Sequence, residues 1–361
     1  MNQNNVVTLK VDTDSAQYEI TGWTKLSITR GIEKIPNSFE LQMSEKVPDL
    51  NYVEVKEGDK CRVYIGSDLV LTGYIDRFIP IISSDQHILQ VVGRGKCQDL
   101  VDCSAVWKGM QFQNMTAETI ARSLCEDFGI NVKAEVKTDL IFVQNINLGE
   151  TPEAVISRIS RVAQVLFYED ENGDLVISRE RNDVVKGSLV QGVNIENATF
   201  MRGMDQRFSD YIVVIPSATL VTDVTDGISI GYYIVKDKSV PRYRPLYIVP
   251  DDGDAGFVTA EKRAIWEANR RYARSNMMRV TVTNWRDVEG NLYKPNTQIQ
   301  VNFPKLKVVM QNWLIGDVTY RIDETGTRCD LLIMPLGAFT PEPIVPYKLP
   351  LDVGEALGVG Q

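Results

Sequence analysis

The sequence is nearly without histidine: there is one in 361 residues, His87. A Ser/His/Asp triad or a Cys/His dyad would have to use it. It lies in Asp85-Gln86-His87-Ile88-Leu89-Gln90, a strand-like stretch where a histidine is ordinarily structural. A multi-histidine zinc site is excluded, and H-E-x-x-H does not occur. Cysteine is scarce and odd in number: Cys61, Cys97, Cys103, Cys125 and Cys329, none in C-x-x-C. Disulfide frameworks use even counts in small secreted chains, so these read as reduced thiols packed as small hydrophobes in a chain that folds in a reducing cytoplasm. No apolar run approaches the ~18 residues of a membrane helix. The N-terminus, Met1-Asn2-Gln3-Asn4-Asn5, is polar and leads into no signal-type apolar segment. Positive charge is in deficit: 39 Lys and Arg against 48 Asp and Glu leave −9. That argues against a broad nucleic-acid-binding surface, though not against a local basic patch.

What remains is ordinary globular composition, 43% hydrophobic and 24% charged. At ~150 residues per domain the length fits two or three domains. Residues 1–100 carry short alternating runs: Val6 to Val11, Tyr18 to Ile28, Phe39 to Met43, Cys61 to Ile65, Leu69 to Leu71 and Ile88 to Val92. Such runs with turns between them predict a small antiparallel barrel or sandwich. Residues 101–190 predict an α+β module. Thr116 caps a helix over Ala117–Phe128 that ends at Gly129, and Thr151 with Pro152 opens a second. Asn172-Gly173 between two apolar runs marks a hairpin. Residues 191–340 return to strands around one inserted helix, about 259–274 with Thr259 as its cap, and residues 341–361 form an extended Pro/Gly tail. The fold expected is mainly β with α+β: two similar small antiparallel β-barrels, the module between them and a helix inserted in the second.

The likeness of the two barrels comes from self-comparison. Arg30-Gly31 matches Arg202-Gly203 at an offset of 172. Without a gap, Glu40-Leu41-Gln42-Met43 then falls on Ile212-Val213-Val214-Ile215. Gly58-Asp59 falls on Asn296-Thr297, and Cys61 and Val63 on Ile299 and Val301, at an offset of 238. The second copy is therefore longer by 66 residues, a stretch that contains the inserted helix. Leu71-Thr72-Gly73-Tyr74-Ile75 resembles Leu314-Ile315-Gly316-Asp317-Val318.

Motifs for chemistry fail on inspection. Gly93-Arg94-Gly95 follows a strand, but Gln98 stands at the third glycine of a dinucleotide fingerprint. Gly95-Lys96 lacks the rest of a phosphate loop. Asp170 to Asp174 lacks the glycine and the bidentate glutamate of a calcium loop, and Asp251-Asp252-Gly253-Asp254 fails likewise. No catalytic residue, cofactor or metal is expected. One basic feature stands out: Lys262, Arg263, Arg270, Arg271, Arg274 and Arg279, interleaved with Trp266 and Tyr272. Glu267 is spaced to pair with Arg263 and Arg271. The favoured readings are a solvated helix face or a protein–protein contact through Arg263, Trp266, Arg270, Arg271 and Arg274, with a DNA-contacting face as the alternative.

Several stretches together resemble a known family. They are Leu71 to Ile75, Val92-Gly93-Arg94-Gly95 leading to Leu100 through Ala105, Gly149-Glu150-Thr151, the Asn172-Gly173 hairpin, and Trp285-Arg286-Asp287 through Gly290, Leu292-Tyr293 and Pro295-Asn296. Their order, the barrel–module–barrel plan and the length resemble the baseplate hub proteins of contractile-tailed, Mu-like bacteriophages, related to the T-even hub and to the hub portion of type VI secretion spikes. The resemblance implies a structural virion protein, assembled in the host cytoplasm and placed in the tail baseplate. It implies a homotrimer whose six barrels form a quasi-sixfold ring joining the sixfold tail tube to a threefold central spike, with DNA passing through unheld. Tail tube, a separate spike protein and baseplate wedge proteins are the implied partners. An acidic lumen would repel phosphate, which suits the net charge. A carboxylate-dependent cell-wall hydrolase is the alternative from another class.

Overall fold

The structure, a computed structural model, describes residues 5–14, 16–44, 55–84, 87–106, 109–215, 231–249 and 257–341. The chain is mainly β with a few helices. The first 100 residues form β1 (Val7–Asp12), β2 (Gln17–Ile20), β3 (Lys25–Gly31), β4 (Ser38–Ser44), β5 (Lys60–Ile65), β6 (Asp68–Ile82) and β7 (His87–Gly95). Their alternation is physical. In β4, Phe39, Leu41 and Met43 are buried while Glu40 is exposed; in β7, Leu89, Val91 and Gly93 are buried between half-exposed neighbours.

The middle of the chain adds α1 (Gln98–Asp102), β8 (Gln111–Thr116), α2 (Ala117–Cys125), β9 (Val132–Ala134), β10 (Leu140–Asn145), α3 (Pro152–Ala163), β11 (Leu166–Glu169) and β12 (Leu175–Ser178). The caps stand where the sequence places them: the Thr116 and Thr151 side chains accept from the amides of Thr119 and Ala154, each at 3.2 Å. The first helix is shorter than expected, because its last turn tightens to a 3-10 turn over Glu126–Phe128 before Gly129 takes a positive φ. Every residue of β11 and β12 is buried, so the hairpin is covered on both faces. Phe167, Leu175 and Ile177 face α2 and α3; Leu166, Tyr168 and Val176 pack with Ile32, Leu314, Met334 and Phe339.

The last part holds β13 (Val184–Val190), β14 (Ile195–Arg202), β15 (Asp210–Ile215), β16 (Gly231–Lys236), β17 (Pro245–Ile248), α4 (Phe257–Arg274), β18 (Asn276–Val282), β19 (Gln298–Phe303), β20 (Val308–Asp323) and β21 (Gly326–Met334). α4 begins at Phe257, so Thr259 lies inside its first turn rather than capping it.

Two strand orders repeat. The first half runs β3-β4-β7-β6-β5 and the second β14-β18-β21-β20-β19. The register repeats too. A bulge falls between Ile75 and Arg77 in one and between Ile315 and Asp317 in the other. The Gly58 amide donates to the Ile75 carbonyl at 2.8 Å, and the Asn296 amide to the Ile315 carbonyl at 2.9 Å. Both residues of the turn have positive φ, +90° and +60°. The register corrects the alignment in two places. β4 corresponds to β18 and not to Ile212–Ile215, which belong to the separate three-stranded sheet β16-β15-β17 inside the insertion. Gly316 corresponds to the bulge residue Asp76, not to Gly73. One element breaks the repeat: β1 is antiparallel to β5, whereas β13 is parallel to β19.

The halves are not separate. β3 pairs with β20, and the two halves share one 13-stranded sheet and one apolar core. The sheet stays open; among the described residues no strand pairing closes it into a barrel. The Pro/Gly tail lies outside the described residues apart from Pro341, as does Asp251-Asp252-Gly253-Asp254.

Candidate functional site

Trp266, Arg270 and Arg274 of α4 turn toward the chain that leaves β21. The Trp266 indole N–H and the Arg270 guanidinium both donate to the Thr340 carbonyl, at 2.9 and 2.7 Å. Arg274 donates to the Ala338 carbonyl at 2.8 Å and also pairs with Glu33, as does Arg270. Glu267 accepts from both Arg263, at 3.1 Å, and Arg271, at 2.7 Å, on the i,i+4 spacing expected. The Arg263 and Arg270 guanidiniums lie over the Trp266 ring, 5.1 and 5.4 Å from its centroid. Burial, with Arg274 alongside, pulls Arg270 below the ordinary arginine value. The five residues are thus one cluster, and each is held by partners within the chain. Trp266 and Arg270 also line a groove of about 410 Å³, together with Ile156 and Arg161 of α3, Phe167 and Phe339.

Three polar side chains, of which Asn296 and Glu169 are buried, hold the parts together. Glu180 accepts from the amides of Gly337, Phe339 and Thr340 at 2.7–3.0 Å, fixing the segment that α4 also grips. Asn296, fully buried, accepts from the Arg181 amide and donates to the Arg179 carbonyl, tying the second half to the segment after β12. Glu169, at the end of β11, accepts from the amides of Asn37 and Cys97 at 2.7 and 2.8 Å. Burial pushes its carboxyl up to about 7, against those two donors and Arg30. A Cβ on Gly95 would lie 1.9 Å from a Glu169 oxygen. The glycine that fails as part of a nucleotide motif is therefore needed for close approach of strand and carboxylate. A glycine inside an alternating strand was the one available signal for this joint; nothing local marked Glu169, Glu180 or Asn296.

His87 opens β7, opposite Ile82. Among the described residues no three His, Cys, Asp or Glu side chains stand together as metal ligands, and no helix is long and apolar enough to cross a membrane. The Asp170 carboxylate accepts from the amides of Asn172 and Asp174, and Lys133 pairs with Asp170 and Asp174; the loop is a closed hairpin turn.

Comparison with known proteins agrees with this architecture. Residues 6–95 match the model for the N-terminal domain of Mu phage GpP-like baseplate assembly proteins. Residues 97–179 match the second domain of gp44-like baseplate hub proteins, and residues 257–342 the fourth domain of the Mu phage baseplate assembly protein GpP. The chain is 31% identical over 345 residues to the baseplate hub protein gp44 of Escherichia phage Mu, covering 93% of this chain and 89% of that protein. A crystal structure of the 43 kDa tail protein of prophage MuSo2 from Shewanella oneidensis superposes with a TM-score of 0.81 at 30% identity, covering 93% of this chain and 99% of that one. An Escherichia coli type VI secretion component, described as similar to the T4 tail proteins gp27 and gp5, shares the fold at a TM-score of 0.55 and 10% identity, covering 94% and 80% of the two chains.

Proposed function

This chain belongs to the family of Mu-like phage baseplate hub proteins, structural components of the tail rather than enzymes, and from that premise we propose that it works as a homotrimeric adaptor. Three copies contribute six repeats to a quasi-sixfold ring, in which each repeat is a barrel-like unit of residues 1–100 or 191–340, and residues 101–190 form the module between them. The ring joins the sixfold tail tube to a threefold central spike, and DNA passes through it during ejection. Baseplate wedge proteins surround it, and assembly takes place in the host cytoplasm before incorporation into the virion.

The observation that carries this reading is the repeat itself. Two copies of one strand order, with the same bulge and the same turn hydrogen bonds, sit side by side in one sheet. A threefold assembly of such chains presents six nearly equivalent surfaces. The net charge of −9 fits a channel wall that repels phosphate. The groove between α3 and α4, flanked by Trp266 and Arg270, is the proposed contact for a neighbouring tail protein. Light scattering on the purified protein tests the reading. A mass three times that of the 40.7 kDa chain is expected, and a stable monomer at high concentration overturns it.

A further inference from the structure

The last described residue, Pro341, lies in the groove between α3 and α4. It lines that groove together with Phe339, with Trp266 and Arg270 of α4, and with Ile156 and Arg161 of α3. The backbone just before it is held in place. The Trp266 indole N–H and the Arg270 guanidinium donate to the Thr340 carbonyl, and the Glu180 carboxylate accepts from the amides of Phe339 and Thr340. Residues 342–361 follow, and they begin with a biased stretch: Pro341-Glu342-Pro343-Ile344-Val345-Pro346-Tyr347-Lys348-Leu349-Pro350. Four of the chain's 15 prolines fall within these ten residues. Such a composition favours an extended polyproline chain, whose carbonyls make no internal hydrogen bonds and stay free to accept.

We infer that the occupant of this groove in the free protein is the chain's own tail, residues 342–346, continuing from Pro341 toward α3. The inference goes beyond the trimer reading and does not depend on it. It gives the groove a resident segment, so that a neighbouring tail protein using the same groove has to displace the tail.

Three observations agree. The lining is apolar and aromatic, with Ile32, Ile35, Ile156, Phe167 and Trp266, and the tail brings Ile344 and Val345 to it. Aromatic-lined grooves are how extended proline-rich segments are held, and the bond from Trp266 to the Thr340 carbonyl is already a contact of that kind. Second, Arg161 lines the groove with its Nε buried and without an acceptor among the described residues. A buried donor left unpaired is costly, and a free carbonyl of the tail supplies the acceptor. Third, the tether is short. Residues that directly follow Pro341 meet the groove at an effective concentration of ~1 mM, so even a contact with a Kd of ~0.1 mM is occupied about ten to one.

Thiol protection in the full chain tests the inference. Ser157 of α3 is exposed and lines the groove. In a Cys103→Ser background, Ser157→Cys supplies the one exposed thiol, because the other four cysteines are buried. With the tail in place, a neutral maleimide is expected to react about tenfold more slowly than when Ile344→Asp and Val345→Asp are added to remove the apolar anchors. New carboxylates near a thiol disfavour the thiolate, so a faster reaction reports release of the tail and not a charge effect. One reactive thiol per chain in both proteins shows that both are folded. Equal rates overturn the inference. A second pair, Ser157→Cys with Val345→Cys, identifies the source of the tail. A bond within one chain is expected under mild oxidation, and disulfide-linked dimers overturn the assignment to the chain's own tail. Light scattering on the same samples reads the trimer separately: a monomer with a protected thiol overturns the trimer and leaves the tail in its groove.

Discussion

The joint at Glu169 carries a pH dependence whose size and sign follow from its surroundings. The carboxyl is buried, accepts two backbone amides, and is pushed from the ordinary 4.5 up to about 7. In the unfolded chain it ionises near its ordinary value. Below that value both states are protonated and the joint is at full strength. As pH rises toward 7 the unfolded chain gives up the proton while the folded one keeps it, so stability falls. Above 7 the loss is complete and level. At 1.36 kcal/mol for each pH unit, the loss is about 3 kcal/mol. Glu169→Gln cannot titrate, so it removes this dependence while keeping the shape, at the cost of facing one amide N–H with an NH2 group. The assay is urea unfolding of wild type and variant at fixed protein concentration, from pH 4.5 to 7.5. Other carboxyl groups contribute alike to both proteins, so the difference between them isolates Glu169. The advantage of wild type over Glu169→Gln is expected to shrink by about 3 kcal/mol across that range. Parallel profiles would refute the reasoning.

Three further outcomes follow from the same structure. Gly95→Ala drives a methyl group into the Glu169 carboxylate and should destabilise by about 1–3 kcal/mol or more, measured as a lower urea midpoint; an unchanged midpoint contradicts the close approach. Glu180→Ala leaves three amides without their acceptor and should speed hydrogen exchange over residues 337–340, with no change in β1 to β7. Four thiols are buried and Cys103 is exposed, and burial raises Cys97 and Cys329 well above the ordinary value and Cys125 to about 12; a disulfide reagent should therefore titrate one thiol per chain in the native protein and five after denaturation.

The sequence made the local structure legible and left the joints dark. Alternation in Phe39 to Met43 and the caps at Thr116 and Thr151 are local signals, and each stands where it was read. Arg30-Gly31 and Arg202-Gly203 were a true match because they end equivalent strands, β3 and β14. The ungapped extension to Ile212–Ile215 failed because an apolar β-rich run looks alike in any sheet; the pairing register, not composition, separates β15 from β18. The shared sheet was illegible for a related reason. β3 and β20 meet across 290 residues, as the hydroxyl contact of Thr29 with Thr319 shows, and no local pattern reports such a pair. The α4 arginines were visible as a basic cluster, but their partners, the carbonyls of Ala338 and Thr340, belong to a segment whose backbone chemistry every sequence shares. Glu169 and Glu180 were two acidic residues among 48 until the fold buried one and wrapped three amides around the other.

The central claim is that the two repeats of each chain become six positions around a channel. An electron-microscopic image of the purified protein along the axis of its oligomer tests it most directly. The account predicts a ring of six similar lobes around an open centre, with threefold differences between alternate lobes. A compact particle without a central opening, or a single chain with two lobes, would contradict it.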